Sequence, residues 1–104
     1  MTQFKEREAA FESKYAHDAE MQFKANARCN KLLGLWAAKK LDKSGDAAEA
    51  YAKTVVIADL EEAGHEDVVR KVVADLDGIA SEKKVRKKMD KFRAKAKAQI
   101  FDEV

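Results

Sequence analysis

Apolar positions recur along this chain at three- and four-residue steps, the period of a helix with one buried face. Between Phe4 and Leu41 there is no Pro and the only Gly is Gly34, so the spacing predicts one continuous helix. At about 1.5 Å per residue such a helix runs to roughly 55–60 Å. Its two halves differ. In the first, Phe4, Phe11, Tyr15 and Ala19 form a narrow stripe among Lys5, Glu6, Arg7, Glu8, Glu12 and Lys14. From Glu20 onward, Met21, Ala25, Cys29, Leu32, Leu33 and Trp36 make a wide apolar face. The second half belongs in a core. The first is expected to lack a partner in its own chain, to fray when free and to be helical when docked.

The polar run Asp42-Lys43-Ser44-Gly45-Asp46 reads as a turn. A second helix is predicted over 46–63, with Val55, Val56 and Leu60 inward and Gly64 as its left-handed terminator. A third follows over 66–77 on the stripe Val69, Val72, Val73 and Leu76. A strand over Val68–Val73 is the competing reading, and the charge spacing and Gly78 favour the helix. Ser81 then caps a last helix over 82–101 that buries Val85, Met89, Phe92, Ala96 and Ile100. The predicted fold is all-α: a small four-helix bundle over 20–104 behind a mobile N-terminal arm, residues 1–19. Leu33, Trp36, Val56, Leu60, Val72, Leu76, Met89 and Phe92 are its expected core.

At 104 residues, 46% of them hydrophobic, the chain can hold one core without disulfides or a metal. Charged residues make up 38%, yet the net charge is only +2, which points to solvated faces of mixed sign and requires no polyanionic partner. Cys29 is the single cysteine, so a reducing, cytoplasmic setting is expected. No apolar run approaches a membrane span and no signal peptide opens the chain, so membrane association is expected only through a partner.

Catalytic motifs do not appear. There is no Gly-rich phosphate loop, CxxC or HExxH, and no enzyme activity, cofactor or metal site is expected. His17-Asp18 has no third ligand nearby and reads as a surface pair. His65 reads as part of a helix boundary, and Cys29 as a small core residue. The lysine-rich outer side of the last helix raises one alternative, a small helical protein that binds nucleic acid. Against it, the segment from Asp42 to Gly78 is acidic, and the only aromatic among the basic residues, Phe92, lies on the core stripe. The aromatic stripe of the arm is the stronger signal, because aromatics on a short amphipathic helix are typical anchors for a groove in another protein.

Three strings carry a family resemblance. Phe4 to Glu8, Ala10 to Asp18 and Asn30 to Ala38 resemble the alphaproteobacterial zeta-subunit family, inhibitors of the F-type ATP synthase. The likeness continues through Ala50-Tyr51-Ala52, Glu61 to Val68 and Ala96 to Gln99, and so spans nearly the whole chain. It implies a regulatory subunit, a monomer when free, that binds the catalytic sector. Its arm would insert between a catalytic subunit, a noncatalytic subunit and the central stalk, and would block ATP hydrolysis. The residues that match the inhibitory segment are Phe4, Arg7, Glu8, Phe11, Glu12, Lys14 and Tyr15. The resemblance implies a location peripheral to the inner membrane when bound. Two departures stand out, a more lysine-rich stretch from Lys83 to Lys97 and Cys29 in place of a basic residue.

Overall fold

The chain turns back on itself at a point where the sequence has neither Pro nor Gly. The computed structural model describes residues 2–61 and 65–104, and among these it has five helices. They are α1 (Thr2–Tyr15), α2 (Ala19–Lys40), α3 (Gly45–Glu61), α4 (His65–Asp75) and α5 (Glu82–Glu103). The single helix expected from Phe4 to Leu41 is therefore two. Asp18 makes the break: its backbone leaves the helical region (φ −97°, ψ 101°), and its carboxylate accepts a hydrogen bond from Met21 N at 3.1 Å. Such an N-cap stabilises a helix start by about 1 kcal/mol. Tyr15 O, at the end of α1, accepts from Asp18 N at 3.0 Å and from Gln22 Nε2 at 2.9 Å. The elbow thus satisfies its own backbone groups. The longest dimension of the molecule is 38 Å, shorter than the unbroken helix would need.

α2 runs through the middle and packs against α3 and α5. The larger core cluster takes Cys29, Leu33 and Ala37 from α2, Val55 from α3, Val68, Val69 and Val72 from α4, Leu76 just beyond it, and Val85, Met89 and Ala96 from α5. Of the expected core, Leu33, Val72, Leu76 and Met89 are buried here, while Trp36 and Phe92 are half-buried at its edge. Val56 is half-buried, and Leu60 is 57% exposed, which removes it from the core. The reason lies in how α3 is rotated. A Cβ placed on Gly34 would lie 2.7 Å from Ala52 Cα, so the two backbones meet there and Ala52 and Val55 face inward. Leu60 follows Val55 by five residues, about 140° around the helix at ~100° per residue.

The later helices follow their predicted ends closely. Val68 to Val73 is helical, and Gly78 (φ +78°) supplies the left-handed turn after α4. Ser81 Oγ accepts from Lys84 N at 3.1 Å and starts α5. Tyr51 Oη donates to Asp75 Oδ2 at 2.8 Å and links α3 to α4. Arg86 donates two hydrogen bonds to Glu66, at 2.7 and 2.9 Å, and links α4 to α5. The terminator expected at Gly64 lies outside the described residues.

Candidate functional site

The aromatic stripe of α1 is not bare: it lies on α5. Phe11, 0% exposed, heads the fully buried side chains of the molecule by volume. It belongs to a second cluster, with Met21 and Ala25 of α2 and Ile100 of α5, and Tyr15 and Phe101 pack on its edge. The Phe11 and Tyr15 rings are 5.2 Å apart and tilted by 54°. The partner that the stripe was expected to lack is thus the last turns of α5. Burial of one Phe contributes about 1.5–3 kcal/mol, enough to hold a short helix that is marginal alone.

Charges frame the contact. Arg7 Nε is 3.3 Å from Asp102 Oδ1, with both side chains substantially exposed. Lys97 Nζ is 2.7 Å from Glu12 Oε1, an oxygen out of reach of solvent, at ion-pair distance but without the alignment of a hydrogen bond. Lys14 is exposed and places its ammonium 5.4 Å from the Tyr15 ring centroid. Glu8 is half-buried, with no ion pair among the described residues. The side chain of Phe4 lies outside the described residues. Of the candidate arm residues, then, Arg7, Phe11, Glu12 and Tyr15 meet the body of the protein, and Lys14 faces water.

Sequence reasoning missed the other side of this contact: Met21, Lys97, Phe101 and Asp102 were not paired with the arm. A signal was present. Phe101, about 100° around the helix from Ile100, is a large apolar residue that the core stripe from Val85 to Ile100 leaves out. An exposed ion pair such as Arg7–Asp102 contributes at most ~1 kcal/mol, so Phe11 and the more shielded Lys97–Glu12 pair carry most of the attachment.

Elsewhere the side chains are structural. Burial pushes the Cys29 thiol up to about 11, so it stays protonated at neutral pH, and its Sγ lies 3.6 Å from Met89 O as a weak donor. Tyr51 is likewise held above its usual range, by burial first and then by its hydrogen bond to Asp75. His17 is exposed at the elbow, and His65 is exposed at the start of α4. Among the described residues no three His, Cys, Asp or Glu side chains converge, and no helix is long and apolar enough to cross a membrane. What this arrangement does is hold α1 against α5.

A family model described as ATPase inhibitor subunit zeta matches residues 1–99. Chains of solved structures match as well, among them a solution NMR structure that is 63% identical. That match covers 81% of this chain and 99% of the other, with a TM-score of 0.74. No curated protein matches.

Proposed function

The chain belongs to the ATPase inhibitor subunit zeta family, and from that premise we propose that its N-terminal arm, residues 1–19, is the inhibitory element. In this reading the arm leaves the body over 20–104 and inserts at a catalytic interface of the F-type ATP synthase beside the central stalk. There it blocks ATP hydrolysis without chemistry of its own. Phe4, Arg7, Glu8, Phe11, Glu12, Lys14 and Tyr15 are the contacts. The free protein is a monomer in the cytoplasm, and it is peripheral to the membrane when bound.

One observation carries the reading. α1 is attached through a single small cluster around Phe11 and through two ion pairs, one half-exposed and one more shielded, behind an elbow whose hydrogen bonds are local. A helix held that way can detach without disturbing the larger cluster, which contains none of its residues. Released, it presents Phe11 and Tyr15 with flanking charges, the composition of an interface anchor. The docked helix is then the resting form, and α5 occupies the same aromatic face that the target would take.

The experiment is truncation. A protein lacking residues 1–17 keeps Asp18 and the larger cluster, so it should remain helical and melt cooperatively while losing inhibition of ATP hydrolysis. Full inhibition by the truncated protein would place the inhibitory element elsewhere.

A further inference from the structure

Every arginine of the chain is in an ion pair: Arg7 with Asp102, Arg28 with Glu103, Arg70 with Asp67, Arg86 with Glu66 and Glu82, and Arg93 with Asp90. The lysines at the start of α5 are different. Lys84, Lys87, Lys88 and Lys91 follow one another at i, i+3, i+4 and i+7, which puts four ammonium groups on one side of the helix. Three are exposed and Lys88 is half-buried. Among the described residues none of the four is within ion-pair distance of a carboxylate. Lys40, at the end of α2, joins them in space. The Lys88 ammonium is held below the usual lysine range chiefly by Lys91, then by partial desolvation and by Lys84, Lys40 and Lys87. Like charges at these spacings oppose the helix. The fold leaves this repulsion uncompensated.

We propose that this lysine face is a docking surface for an anionic phospholipid bilayer, which the protein meets directly and without insertion. Clusters of four to eight Lys or Arg on an amphipathic helix are a pattern of acidic-lipid binding, at about 1 kcal/mol for each residue near the surface. The apolar side of α5 is already used, since Val85, Met89 and Ala96 lie in the core, so the contact is one of charge. Two neighbours suit a bilayer surface. Ile79 is 53% exposed in the turn just before α5, and the half-buried Trp36 carries Lys40 at 6.0 Å from its ring centroid. Nucleic acid fits less well. The face has no exposed aromatic for base stacking, since Phe92 and the half-buried Trp36 both pack on the core, and no arginine free for bidentate contacts. A protein partner fits less well too, because lysine is depleted in interfaces and nothing apolar lies at the centre of this stripe. The lysine face is on the first half of α5 and the arm docks on the second, so both can act at once.

The test uses the full chain with vesicles of neutral phosphatidylcholine, alone or with about one third phosphatidylglycerol, a composition within the usual anionic range. Co-sedimentation and the fluorescence of Trp36, the only tryptophan, report binding. Binding is expected for the anionic vesicles alone, and it should weaken steeply as salt shortens the screening length. Each lysine removed should weaken it roughly fivefold, so replacing Lys84, Lys87, Lys88 and Lys91 by Gln should weaken it on the order of several hundred-fold. That variant should be at least as heat-stable as the parent, because it loses only repulsion. The matched variant Lys24→Gln, Lys31→Gln, Lys53→Gln, Lys71→Gln carries the same net charge and should bind nearly as well as the parent. Equal loss in both variants, equal binding to neutral vesicles, or tighter binding to duplex DNA at the same salt would each overturn the proposal.

Discussion

Ile100→Ala weakens the hold on the arm from the α5 side and changes no residue of the arm itself. Ile100 is 5% exposed in the cluster around Phe11. Truncating a buried Ile to Ala costs about 2–5 kcal/mol, and the low end applies here because the residue also borders a groove open to solvent. Part of that loss is shared with Met21 and Ala25 of α2, which stay in place when α1 leaves. About 1–2 kcal/mol therefore falls on docking, a five- to thirtyfold rise in the released fraction. Hydrogen exchange of the free protein should show it: the α1 amides speed up by that factor, while Leu33 and Val72 in the larger cluster stay slow. While the docked form still dominates, the concentration giving half-maximal inhibition of ATP hydrolysis should fall by a similar factor, because the target binds only the released arm. Faster exchange with unchanged or weaker inhibition would refute the reasoning, since docking on α5 would then not compete with docking on the enzyme.

Three further outcomes follow from the same contacts. Phe11→Ala combined with Tyr15→Ala frees the arm but removes its anchors, so inhibition should be lost, at about 2–4 kcal/mol for each hot-spot aromatic in a titration of ATP hydrolysis. Gly34→Ala forces a methyl group against the Ala52 backbone, and thermal unfolding should show about 1–3 kcal/mol of destabilisation with inhibition by the folded protein unchanged. The Arg86 hydrogen bonds hold the Glu66 carboxyl below its usual range, and Arg28 does the same for Glu103. Their contribution is fully present above an unfolded value of about 4.3 and is lost as pH falls through the lower folded values, so Arg86→Gln should lower stability at neutral pH, leave it unchanged in strong acid, and thereby flatten the acid limb of a denaturation series.

What could be read in the sequence was local. Ser81 and Gly78 announced the ends around the last turn because capping and left-handed geometry depend on the residue itself. The break before α2 was harder. Asp18 is as compatible with a helix surface as with an N-cap, and no Pro or Gly marks the site. The dock of α1 is a tertiary fact. Phe11 has helical spacing either way, and only the fold shows that Ile100 and Phe101, some ninety residues on, are what it meets. Leu60 was misplaced for a similar reason: a stripe drawn through Val56 and one drawn through Val55 are both helical, and the Gly34–Ala52 approach selects the second.

The central claim, that the arm leaves α5 in order to inhibit, is tested most directly by a distance. Lys5 and Asp102 are exposed positions on the docked helix and its dock, and spin labels on cysteines at both can be measured in the free protein and in the inhibited enzyme. Buried Cys29 stays protonated and unlabelled. The distance should be short in the free protein and shift to a population of much longer distances when ATP hydrolysis is blocked. A distance in the inhibited complex that matches the free protein would contradict that claim.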